Sequence, residues 1–247
     1  MIIYGNQVYF CITTGRAGSK YLAKILNHLQ DTVSCHEPKP QMIGSYKSKF
    51  IGGYDEGLWK DAKEKFETIQ QAKGDHHLYV ETTNTFIKGF GWYLPYFIKS
   101  EEIGVITLKR DFTEIVDSHK RVDCLPVTPA GNCWLIYRDQ PGMPASLQQR
   151  NYLKYFRSIR LRKIVPRFFF KKIDDYFLHD YCKLTYELGE LYLKKFPEVK
   201  NITMRVTELN DINGIQRLLD AFDLQHIGLK ESIYDALGKP ENVNSVT

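Results

Sequence analysis

The sequence predicts an α/β protein built on a parallel β-sheet, and three observations carry that prediction. Residues 7–29 read as strand, glycine-containing turn and helix. Short runs of β-branched and aromatic residues then alternate with longer stretches of helical periodicity. The composition is that of a folded chain: 247 residues, 43% hydrophobic and 13% aromatic, with only 17 Gly and 10 Pro. This excludes the disordered and collagen-like classes and fits a single domain over residues 1–247.

The elements follow in order. Gln7–Ile12 is a run of β-formers, and residues 13–18 form a turn opening a helix whose apolar positions Tyr21, Leu22, Ile25, Leu26 and Leu29 share one face. A second strand is predicted at 32–36, a polar and charged helix at 54–72, and a third strand at 77–83 that ends in polar residues. Ile103–Lys109 is a strongly apolar strand, followed by a helix over 112–122. Residues 123–145, with Pro126, Pro129, Gly131, Pro141, Gly142 and Pro144, read as a long functional loop. Two aromatic-rich helices at about 147–165 and 174–196, a last strand at 201–206 and helices at 212–222 and 230–237 complete the chain, with no internal repeat. Ligands of a parallel sheet bind at the carboxyl ends of its strands, so the polar residues just after each strand are the candidates.

Charge and cysteine usage narrow the class. The 34 Lys+Arg against 29 Asp+Glu give a net charge of +5, but nine basic residues and no acid lie between Arg150 and Lys172, leaving 25 bases against 29 acids elsewhere. The basic stretch has three readings: a solvated helix face, a surface for an anionic partner, or residues reaching a bound anion. With the remainder net acidic and no recognition motif, no nucleic-acid partner is expected. Cys11, Cys35, Cys124, Cys133 and Cys182 lack paired spacing and read as reduced thiols of a cytoplasmic protein. No basic residue precedes Arg16, and apolar runs such as 103–108 fall short of the ~18 residues a membrane helix needs, so neither signal peptide nor integral membrane segment is expected. Seven histidines without HExxH or cysteine-paired spacing predict no metal.

The segment Thr13-Thr14-Gly15-Arg16-Ala17-Gly18-Ser19-Lys20-Tyr21-Leu22 carries the most chemistry, because backbone amides of a glycine turn at a helix N-terminus converge on an anion. A magnesium-nucleotide loop needs four residues between its glycines and a Ser or Thr after the lysine. Here two residues separate Gly15 from Gly18, and Tyr21 follows Lys20. Phosphate binding survives the comparison; the magnesium ligand does not. Arg110, at the end of a strand, and Ser118, two helical turns on, form a second anion-directed pair.

Together these pieces resemble the sulfotransferases that use 3'-phosphoadenosine 5'-phosphosulfate (PAPS). The loop at 14–22 is similar to the family's 5'-phosphosulfate loop, Arg110 and Ser118 to its 3'-phosphate pair, and Met-Arg-Val-Thr-Glu-Leu at 204–209 to its strand-plus-turn element. Residues 238–246, with Lys239 and Asn244, resemble a donor-closing tail. The resemblance implies a three-layer α/β/α, P-loop-like sulfotransferase fold and a donor cradle of Gly15, Arg16, Ala17, Gly18, Ser19, Lys20 and Tyr21, with Arg110 and Ser118 on the 3'-phosphate. It implies no metal. Arg16 stands where many cytosolic members have a lysine, and Ala17-Gly18-Ser19-Lys20 replaces their Ser/Thr-rich run.

For the acceptor's proton the sequence offers Glu37 in Cys35-His36-Glu37-Pro38, with Glu81 and His36 as runners-up, all at strand ends. The Glu-Pro pair resembles the general-base position of bacterial carbohydrate sulfotransferases. The expected activity is metal-free sulfuryl transfer from PAPS to a hydroxyl or amine of a small molecule. Two alternatives stay open: a carbohydrate or glycan acceptor, and a P-loop-like nucleotide-binding or kinase-like protein. Trp92, Tyr93, Trp134, Tyr137, Tyr152, Phe156, Tyr176 and Tyr181 are either pocket aromatics or core, and Asp174, Asp175 and Asp180 would favour a cationic acceptor such as an alkaloid.

Overall fold

The computed structural model describes residues 7–42, 56–140, 142–149 and 167–239. Most of the expected helix at 147–165 lies outside them, as do most of the basic segment, Tyr152, Phe156 and Asn244.

Five strands form one sheet: β1 (Gln7–Ile12), β2 (Thr32–Cys35), β3 (Leu78–Glu81), β4 (Ile103–Lys109) and β5 (Lys200–Arg205). Their order is β2-β3-β1-β4-β5, and every pairing is parallel. The described helices are α1 (Ser19–Leu26), α2 (Glu56–Lys73), α3 (Phe112–Arg121), α4 (Pro129–Trp134), α5 (Arg167–Lys195), α6 (Ile212–Ala221) and α7 (Ile233–Ala236). Short 3-10 turns join β3 to β4, among them Phe86–Lys88 and Phe90–Trp92.

The layering follows from strand periodicity. Val8, Phe10 and Ile12 of β1 enter a core with Tyr79, Ile115, Leu178 and Leu184, under α2, α3 and α5. Tyr9 and Cys11 enter a second core with Leu22, Ile25, Leu218 and Phe222, under α1, α6 and α7. A strand buried on both faces must be apolar at nearly every position, as β1 and β4 are. The result is three layers, α/β/α, as expected.

This topology opens the site. The chain leaving β1 turns into α1 on one face, while the chain leaving β4 turns into α3 on the other. The two connections diverge at the carboxyl ends of adjacent strands, leaving a crevice between them.

Candidate active site

β1 runs into buried Thr13 and Thr14, after which the chain turns through Arg16 at φ 71° and Gly18 at φ 100°. Gly18 is the N-cap of α1 and supplies no side-chain acceptor to the first-turn amides. Glycine is required there twice over. The φ is left-handed, and a Cβ would approach Val206 Cγ2 to 2.5 Å.

The loop forms one wall of a cleft of about 290 Å³. Gly15, Arg16, Gly18, Ser19 and Lys20 line it, with His36 and Glu37 beyond β2, Asn84 beyond β3, and His119, Cys124 and Trp134 from α3 to α4. Arg16 Nε donates to Ser118 Oγ at 3.0 Å, and Arg110 Nη1 donates to the Arg16 carbonyl at 3.3 Å. Burial, then the charges of Arg121 and Arg110, lower the Arg16 guanidinium from its ordinary value, while Cys124 and Glu37 pull it up. A second cavity of about 380 Å³ adjoins Arg110, lined also by Lys109, Asp111, Glu114, Arg205, Val206 and Thr207, and there Arg110 Nε pairs with Glu114.

The three candidate bases separate by environment. Glu37, at φ 48°, lines the cleft half-buried, and its Oε1 accepts from Asn84 Nδ2 at 3.4 Å. His36 Nδ1 lies 2.8 Å from the Thr82 carbonyl, which can only accept, so the neutral ring carries its proton on Nδ1 and leaves Nε2 as a lone-pair nitrogen. Glu81 turns away: 2% exposed, it pairs with Lys65 Nζ at 2.8 Å and accepts from the Tyr79 hydroxyl at 3.1 Å. Burial holds its carboxyl above the ordinary value, offset by Lys65 and Tyr79. Period-two alternation explains this, since Glu81 shares the face of Tyr79, which is covered by α2. Lys65 also donates to the Pro38 carbonyl at 3.3 Å, tying the pair to the Glu37 loop.

Beneath the loop sits a polar cluster. The Tyr181 hydroxyl accepts from Gly15 N–H at 3.1 Å and from Lys88 Nζ at 2.9 Å. His119 Nε2 donates to the Gly15 carbonyl at 3.2 Å, while its Nδ1 is buried without a hydrogen-bond partner. Burial, then the Lys88 charge, lowers His119 to about 4, so the ring is neutral.

Seven of the expected site residues thus share one cleft: Gly15, Arg16, Gly18, Ser19, Lys20, His36 and Glu37. Arg110 stands at the neighbouring cavity, and Ser118, 3% exposed, is held by Arg16. Three others are placed elsewhere. Ala17 is wholly buried, Glu81 is occupied by Lys65, and Tyr21, 1% exposed, donates to the Leu209 carbonyl and accepts from Gly238 N–H, a structural clamp. Gly15 lines the cleft but spends its N–H on Tyr181. Asn84 and Lys88 are not among the residues the sequence singles out; their only signal is a polar pair at i and i+4 just past the end of β3. Trp134 lines the cleft, whereas Trp92 is in the core and Tyr176 is exposed. Asp175 and Asp180 hold Lys120 and Arg138 respectively. Among the described residues no group of three or more His, Cys, Asp or Glu is arranged to hold a metal, and no helix is long and apolar enough to cross a membrane.

The protein is thus a three-layer α/β protein whose middle strand runs into a glycine-containing turn, with cations and a carboxylate at neighbouring strand ends. Among solved structures it is similar to the sulfotransferase domain from the curacin biosynthetic pathway, with a TM-score of 0.51 over 95% of this chain and 78% of that chain at 10% identity. At that identity the likeness is one of fold. No family model and no curated protein sequence matches the chain.

Proposed function

We propose that this protein is a sulfotransferase that moves the sulfuryl group of PAPS to a hydroxyl or amine of a small-molecule acceptor. The observation that carries the reading is the joint placement of the uncapped α1 N-terminus, Arg16 and Lys20 with Glu37 on one small cleft. The shared fold supports it.

The residues fit such a donor. The first-turn amides of α1, Lys20 and Arg16 suit the 5'-phosphosulfate. The cavity at Lys109, Arg110, Arg205 and Thr207, joined to the loop by the Arg110 contact to the Arg16 carbonyl, suits the 3'-phosphate and nucleoside, with the three cations outnumbering Asp111 and Glu114 there. The donor brings a sulfuryl group already attached to a good leaving phosphate. Glu37 accepts the proton of the acceptor as its oxygen or nitrogen bonds to sulfur and the bond to the bridging oxygen breaks. Arg16, always protonated, meets the charge growing on that oxygen but cannot supply a proton to it. Tyr21, where a magnesium nucleotide would need a Ser or Thr, has its hydroxyl committed to Leu209 and Gly238. A cleft of about 290 Å³ favours a small acceptor over an extended glycan.

The test is calorimetric and kinetic. The wild-type protein should bind 3'-phosphoadenosine 5'-phosphate without added magnesium, and a preference for magnesium ATP would overturn the reading. With an acceptor found by screening for the mass gain of one sulfuryl group, Glu37→Gln should keep donor binding and lose ~10²- to 10⁴-fold in rate. Unchanged turnover would move the base to His36, which lines the same cleft with Nε2 as its lone-pair nitrogen.

A further inference from the structure

Lys88 ends the 3-10 turn after β3, and its side chain is 1% exposed. An ammonium has three N–H donors, and here they reach acceptors from three distant parts of the chain: Asn84 Oδ1 at 3.0 Å, the Trp134 carbonyl at 2.9 Å and the Tyr181 hydroxyl at 2.9 Å. A buried ammonium is costly unless its donors are met, so each acceptor is held where the charge requires it.

Each acceptor also belongs to the cleft or to the layer beneath it. With Asn84 Oδ1 committed to Lys88, the amide can turn only one way, and its Nδ2 is the group that reaches Glu37 Oε1. Trp134 lines the opposite wall. Tyr181 holds Gly15, the first glycine of the anion loop. A rotated Asn84 amide would set two acceptors, its own oxygen and the carboxylate, against each other.

We propose that Lys88 is the positioning residue of this site: by fixing the Asn84 amide as a donor to Glu37, it sets the orientation and basicity of the carboxylate. This rests on Glu37 as the base of the proposed sulfotransfer. The other charged or titratable groups on the cleft, Arg16, Lys20, His36, His119 and Cys124, are left unsubstituted in the variants that test it, although Lys88→Met also removes one of the charges that lower His119.

The Glu37 carboxyl can be followed through its titration by carbon-13 NMR in the wild type, Lys88→Met, Asn84→Leu and the double variant. A hydrogen bond to the ionised form favours ionisation, so each single variant should move the Glu37 midpoint upward. The double variant should raise it no further than either single one, because both remove the same contact. Additive shifts would mean that the Lys88 charge acts directly through space, and would overturn the positioning role. So would an unmoved midpoint in a variant that merely melts earlier. If Lys88→Met does not fold, the wild type still decides: the Asn84 side-chain amide and the Lys88 ammonium should both follow the Glu37 midpoint, and resonances that ignore it sink the proposal. Failure of the sulfotransferase reading shows separately, as wild-type protein that does not bind 3'-phosphoadenosine 5'-phosphate.

Discussion

At His119 burial dictates charge. The ring is 2% exposed, donates through Nε2 to Gly15, and is held near about 4 by desolvation and by Lys88. Its folded value lies below the ordinary 6.5, so the native state favours the neutral ring. The stability this contributes is complete above 6.5 and is lost as pH falls from there through about 4. The difference amounts to about 3 kcal/mol. Urea midpoints measured from pH 7 to 4 should fall less steeply for His119→Gln than for the wild type, and parallel curves would refute this. The carboxylates show what the sequence could and could not convey. Strand-end position correctly put Glu37 on the cleft, but position alone did not separate it from Glu81, because only the registry of β3 decides which end residue faces α2 and Lys65.

Among the elements, β1 and β4 have the limits predicted from sequence, since both faces are covered and nearly every residue between the ends is constrained to be apolar. β2 and β3 are shorter than expected, ending at Cys35 and Glu81 where the chain leaves to build the site. α4 lies within the stretch 123–145 that the sequence presents as loop. Its start signal, Thr128 accepting from Gly131 N–H with Pro129 in the first turn, is hidden in a stretch dense with proline and glycine. The turn at 13–18 is legible because its glycine spacing is local, whereas the Lys88 cluster joins residues 84, 134 and 181 and has no local signature. Gly18 tests the loop. Gly18→Ala must adopt a left-handed φ and displace Val206, which should cost about 3 kcal/mol and weaken binding of 3'-phosphoadenosine 5'-phosphate. A variant with wild-type melting and affinity would show that the loop is not built this way.

Across the whole molecule, one sheet separates two cores, and they share its strands. The three tryptophans sit on one side: Trp92 in the core under α2, α3 and α5, with Trp59 and Trp134 packed against it. Fluorescence therefore reports on one face while circular dichroism reports on the helices of both. If the chain is a single cooperative domain, the two transitions should coincide. Ile25→Ala, in the opposite core, should lower both together by about 2–5 kcal/mol. A fluorescence transition indifferent to Ile25 would divide the molecule in two. The left-handed backbone at Arg16 and Glu37 has a further consequence, for anyone who would make this protein more robust. Glycine or asparagine at either position would relax the chain and help it fold, so a search guided by heat resistance alone would discard first the two side chains on which the proposed transfer depends.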